Sequence, residues 1–319
     1  MENEILETRT YKLGFVGKGS TFFGIWIKNW LLTIITLGFY YPWAKVKQLN
    51  FMYSSTTLNG DKFSFSGTGK EIFKGYIKTL LFFVLVYGLL FLFLQLDLLI
   101  IGFVIMYFGN ILIIPLIIHG SYRYRMSRTF WRDIRFGYRG DRNELFINYL
   151  KWSFFTIITL GFYGAWMEIK INSYILNNLR LGDTKFKFSG KGWDYFLLNL
   201  KGLLLSIITL GIYLFWYVKN IYNYYIDNIT LQKDFKKITF KSTATFFDMF
   251  NLIFVNYIIL VFTLGFGYAW VATRSMNIVV RNIQMEGDID LNTIQQTEDD
   301  YNDATGDDMV DFLNIDMIF

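Results

Sequence analysis

Four lysines recur at one spacing in this chain. Lys28, Lys78, Lys151 and Lys201 each lie 11 residues beyond a glycine (Gly17, Gly67, Gly140 and Gly190), and each falls early in an apolar run. A cation in such a place has two uses. It can line a path that draws an anionic solute through a helical bundle, or its stem can carry the ammonium back to lipid headgroups. The rest of the chemical vocabulary is thin. The 319 residues contain one histidine, His119, two prolines and no cysteine, which excludes disulfides, thiolate metal sites, a thiol nucleophile and lipidation through sulfur. His119, between "IIPLII" and "GSYRYRMSR", has no second ligand near it, so no metal is implied. Asp97 in "LQLDLL" reads as the cap of a tight turn between spans, with a proton relay as the rarer use. "FVGKG", "FSGTG" and "FSGKG" complete neither the phosphate-loop spacing nor the dinucleotide fingerprint, and no cofactor is implied.

The elements that would position these residues are apolar. The chain is 53% hydrophobic and 20% aromatic, which points to a membrane protein before any helix is drawn. Leu98–Ile118 runs 21 residues without a charge, enough to cross a hydrocarbon core of about 30 Å. The start, "MENEILETRT", holds four charged side chains and no apolar stretch, so no cleaved signal is expected. The net charge of +5 hides two regions. From Glu286 onward there are 11 acidic and no basic residues; the body before it carries 31 Lys and Arg against 15 acids, a formal +16. Basic groups flanking apolar segments mark the cytoplasmic side of a membrane and predict membrane lipids as partners. They form no separate soluble patch, so no nucleic acid is expected.

The body repeats itself. "FVGKGSTFF", "FSGTGKEIF", "YRGDRNELF", "FSGKGWDYF" and a degenerate "FKSTATFFD" begin five units near 11–60, 62–132, 134–183, 185–235 and 237–290, followed by an acidic tail over 291–319 that is expected to be disordered. In four units an apolar run closes in Thr-Leu-Gly, with a tryptophan five residues after the glycine: Gly38 and Trp43, Gly161 and Trp166, Gly211 and Trp216, Gly265 and Trp270. These pairs are expected at turns or membrane interfaces. Two geometries fit. Thr-Leu-Gly is a kink within a spanning helix, or the tip of a two-helix hairpin that returns to its own side. The hairpin gathers every basic strand on one side and is the favoured reading. "LNGDKFSFSG" and "LGDTKFKFSG" read as short β-hairpins beside the helices. The fold class expected is therefore a membrane all-α protein with short β-hairpins, internally repeated and polytopic.

The strand "FSFSG", runs closing in "TLGFY", then "PWAKVK" and "QLNFMYSSTTLNGDKFSFSG" together resemble the YjgN-like family of bacterial multi-pass inner-membrane proteins, with the best match over residues 12–70. The resemblance implies a bacterial inner-membrane location and brings no substrate, cofactor or catalytic residue. "PWAK" becomes "GAWM", "LFWY" and "YAWV" in later units, so no role of Pro42 or Lys45 is repeated.

These readings favour a non-enzymatic scaffold or accessory membrane component. A transporter or channel for a small or anionic solute is the alternative, and an intramembrane enzyme ranks third. The tail ends in Met309, Val310, Phe312, Leu313, Ile315, Ile318 and Phe319, an apolar end on an acidic linker that suits a protein partner or the basic body itself. The sequence fixes no oligomeric state.

Overall fold

The structure, a computed structural model, describes residues 9–297. Ten short strands, each of three to seven residues, alternate along the chain with pairs of helices. β1 (Arg9–Phe15) leads into α1 (Gly19–Ile35) and α2 (Tyr41–Ser55); β2 (Thr56–Leu58) and β3 (Asp61–Phe65) lead into α3 (Gly69–Gln95) and α4 (Leu99–Ser127). β4 (Thr129–Trp131) and β5 (Ile134–Tyr138) precede α5 (Arg142–Ile158) and α6 (Gly164–Asn177); β6 (Leu179–Leu181) and β7 (Thr184–Phe188) precede α7 (Gly192–Ile208) and α8 (Leu214–Asp227). β8 (Ile229–Lys233) and β9 (Lys236–Ser242) lead into α9 (Phe246–Phe250), a π-helical stretch Asn251–Val255, α10 (Asn256–Phe262) and α11 (Tyr268–Arg281), before β10 (Ile283–Gly287).

All ten strands close into one antiparallel barrel, in the order β1-β10-β9-β8-β7-β6-β5-β4-β3-β2. This corrects the all-α expectation. Closure is non-local: Arg9 pairs with Gly287 and Tyr11 with Met285, while Leu13 pairs with Leu58 on the other edge of the same strand. The longer strands show the two-residue period of a half-buried sheet, most clearly β3, β7, β9 and the starts of β8 and β10. In β9, Ile238 and Phe240 are buried while Lys237, Thr239 and Lys241 face out; Leu179 and Leu181, Ile229 and Leu231, Ile283 and Met285 fill the same interior, around a fully buried Trp131. A barrel filled in this way is a packed core, with no edge strand left open.

The connections sort to opposite ends. Tight turns join β2 to β3, β4 to β5, β6 to β7 and β8 to β9 at one end, and every helical pair leaves and re-enters at the other. Because the strands before and after each pair belong to one barrel, both helices of the pair start and finish on the same side. At the turn end, residues 288–297 form a strap: Ile289, Leu291 and Ile294 are buried, the Tyr11 hydroxyl donates to Ile289 O at 2.6 Å, and Arg9 pairs with Asp290 at 2.5 Å. The strap continues to the β6–β7 turn, where Asp183 N donates to Gln295 O and Thr297 Oγ1 to Gly182 O. The apolar end expected to dock, from Met309 on, lies outside the described residues.

Among the described residues, two helices, α3 and α4, are long and apolar enough to cross a membrane. At about 1.5 Å per residue, their 27 and 29 residues reach about 40 Å, and the 17 residues of α1, α5 and α7 about 25 Å.

Candidate functional site

The helical end carries the residues that the sequence singled out. Each Thr-Leu-Gly forms the tip of a helical hairpin with one geometry. The leucine and the glycine are both left-handed: φ is 50° and 92° at Leu37 and Gly38, 51° and 93° at Leu160 and Gly161, 49° and 90° at Leu210 and Gly211, 50° and 87° at Leu264 and Gly265. For leucine that conformation costs on the order of 1–2 kcal/mol. The threonine hydroxyl closes the turn from both directions. Thr36 Oγ1 donates to Leu32 O at 2.7 Å and accepts from Tyr40 N at 2.9 Å; Thr159, Thr209 and Thr263 repeat this with Phe155 and Tyr163, Leu205 and Tyr213, Ile259 and Gly267.

In the first hairpin every amide from Thr36 to Ala44 finds an acceptor within the tip, Pro42 having no N–H to satisfy. A turn of this kind needs no water. Its side chains match. Leu37, Leu160, Leu210 and Leu264 are 88%, 91%, 93% and 88% exposed, and Ile35, Ile158, Ile208 and Phe262 beside them are also exposed. Such a set of bare apolar tips is the signature of a surface that meets something other than water.

The four tryptophans join neighbouring hairpins. Trp43 lies over Gly69 with Phe73 tilted against it at 5.3 Å; Trp166 lies over Gly192 with Phe196 at 5.1 Å; Trp270 lies over Gly19 with Phe23 at 4.9 Å, so the last hairpin closes on the first. A Cβ at Gly69, Gly192 or Gly19 would come within 2.5, 2.3 and 2.5 Å of the indole. Where the pattern breaks, it breaks on both sides. Trp216 meets Phe246 at 4.1 Å in place of a glycine, and the α3–α4 hairpin, which has no such tryptophan, faces Arg142 as the first residue of α5. The second glycine of "GKG" and "GTG" thus seats an indole, a role that the spacing between motif and tryptophan held but that needed the contact to be seen. Three of the four tips also lean on the next hairpin: Tyr41 on Tyr76, Phe162 on Phe196, Phe266 on Trp26 and Trp30.

Lys28, Lys78, Lys151 and Lys201 each occupy the tenth position of α1, α3, α5 and α7, on exposed faces. The structure places them one per hairpin on the outside and does not gather them. Asp97 sits at the α3–α4 tip with φ of 56°. His119 is buried in α4, its ring edge-on to Tyr138 at 5.3 Å. No group of three His, Asp or Glu among the described residues is arranged to hold a metal.

One polar cluster escaped the sequence reading. Glu168 Oε1, in the seam between hairpins, accepts from the hydroxyls of Tyr195 and Tyr225, both at 2.6 Å, and Asn199 Oδ1 accepts from Tyr217 at 2.5 Å. Its partners lie 27 and 57 residues from Glu168 in sequence, with no local signal. At the rim of the barrel, burial works to raise the Asp248 carboxyl, but bonds from Thr245 and Arg281 outweigh it and hold it at about 2.

The family described as "Bacterial protein of unknown function (DUF898)" matches residues 10–193, 184–235 and 217–312. The protein named "Inner membrane protein YjgN" from Salmonella typhimurium is 42% identical over 79 residues, 25% of this chain and 19% of the relative; its namesake from Escherichia coli K12 is 32% identical over 133 residues, 42% of this chain and 32% of the relative. The chain thus matches no more than about a third of the length of these relatives. No solved structure matches.

Proposed function

The chain belongs to the DUF898 family, and from that footing we propose that it is an integral protein of the bacterial inner membrane, with its barrel in cytoplasmic water and its helical hairpins set into lipid from one side. The observation that carries this reading is the form of the four tips. They combine strained, almost fully exposed leucines with backbone amides that are bonded internally, and hydrocarbon is the medium that rewards both. The α3–α4 pair has the length to cross completely; the other hairpins dip in and return. The relatives are named inner membrane proteins, and the exposed lysines of the barrel wall suit the cytoplasmic face. A packed barrel core and outward-facing hairpin lysines favour a scaffold or accessory component of the membrane over a conduit.

Topology tests this directly, because the chain has no cysteine of its own. Single cysteines at Phe235, in the β8–β9 turn, and at Asp97 are to be labelled with a membrane-impermeant thiol reagent in spheroplasts and in inverted vesicles. The expected result is that Phe235→Cys labels in inverted vesicles, Asp97→Cys in spheroplasts, and Leu210→Cys in neither until detergent is added. Labelling of the barrel position from the outer face would defeat the proposal.

A further inference from the structure

The outer wall of the barrel is unevenly charged. Between β5 and β9 the outward positions include Arg135, Arg180, Lys185, Lys187, Lys237 and Lys241, and the register sets Arg180 directly opposite Lys185, then Gln232, then Lys237. Like charges opposed across two strands cost stability unless an anion lies over them. No acidic residue occurs in that row. The anion is close at hand. The strap delivers the chain to this place: Gln295 O accepts from Asp183 N, Gln296 Oε1 accepts from Arg135 N, and Thr297 Oγ1 donates to Gly182 O, within the turn that joins Arg180 to Lys185. The next 22 residues, 298–319, contain eight acids and no basic residue. At about 3.3 Å per residue they could span the whole wall.

We propose that this basic wall is the docking surface of the chain's own acidic segment 298–319, which covers Arg180, Lys185, Lys187 and Lys237 and keeps other anions from them. The proposal rests on register and on the point where the strap ends, and it stands apart from the membrane reading. The acidic run begins beside the row of like charges, and the exposed lysines Lys185, Lys187 and Lys237 supply the complement.

Zero-length carbodiimide coupling of the full chain in neutral-lipid nanodiscs, followed by mass spectrometry, tests this. Expected are links within one chain from Glu298, Asp299, Asp300 or Asp303 to Lys185, Lys187 or Lys237, lost at high salt and lost in a variant with those four acids changed to their amides, which leaves the barrel untouched. A chain ending at Thr297 should bind a synthetic 298–319 peptide, and Lys185→Glu with Lys187→Glu should abolish that binding. Links to lysines elsewhere, links only between differently isotope-labelled copies, or no link at all would overturn the proposal. So would displacement of the links by phosphatidylglycerol nanodiscs, which would assign the wall to lipid headgroups.

Discussion

Two kinds of helical hairpin stand on the same barrel. The α3–α4 hairpin has helices of 27 and 29 residues and turns through Leu96, Asp97 and Leu98; the Thr-Leu-Gly hairpins have helices of 17 residues or fewer before the tip. In the long hairpin the turn amides of Leu96, Asp97 and Leu98 bond to Leu92 O, Leu94 O and Phe93 O, and no hydroxyl bridges the turn. In the short hairpins a threonine hydroxyl and two left-handed residues close the turn on itself. The difference teaches how depth is written into a turn. On the proposed topology, a tip that reaches water carries an aspartate, whereas a tip that stops in hydrocarbon carries leucine and a hydroxyl bridge that satisfies its own backbone.

The comparison breaks first at the tip side chains. Leu210→Arg combined with Leu264→Arg should expel those two hairpins from lipid, so that Ile208→Cys labels in inverted vesicles without detergent, since each cation deep in lipid costs about 2.5–3.5 kcal/mol; Asp97→Arg should leave Ile208→Cys protected. Next comes the hydroxyl bridge. Thr209→Val strands the Tyr213 amide and should lower stability in detergent by about 1–3 kcal/mol, with Thr209→Ser restoring most of it, as thermal unfolding would show. The seams follow. Gly192→Ala drives a methyl into Trp166 and should cost about 1–3 kcal/mol, while Arg142→Ala, at the seam without a tryptophan, should stay within about 0.5 kcal/mol. Smallest is the strain itself. Leu160→Gly should raise stability in detergent by about 1 kcal/mol, and lower the share of chain that inserts into liposomes.

Sequence reasoning reached the hairpin tips because Thr-Leu-Gly and its tryptophan recur at one spacing, and periodicity survives wherever the same local geometry is reused. It missed the barrel for a physical reason. β2, β4 and β6 are three residues long, too short to show alternation, and each begins directly at the end of a helix, where Ser54-Ser55 or Asn177-Asn178 reads as a polar cap. Closure joins Arg9 to Gly287, a pairing that no window along the chain contains. The family resemblance, by contrast, needed only local motifs, and it held across residues 10–312. Glu168 was illegible because the tyrosines that bind it come from another hairpin.

Trp270 seated on Gly19, with β10 zipped to β1, has a consequence for how the molecule is made. The first strand and hairpin of the barrel to be made find their final neighbours only in the last, so every hairpin between them waits beside an incomplete circle, its flank open, until that last pair is in place. Loss of any one hairpin would leave that circle with a gap too wide for the indole to bridge.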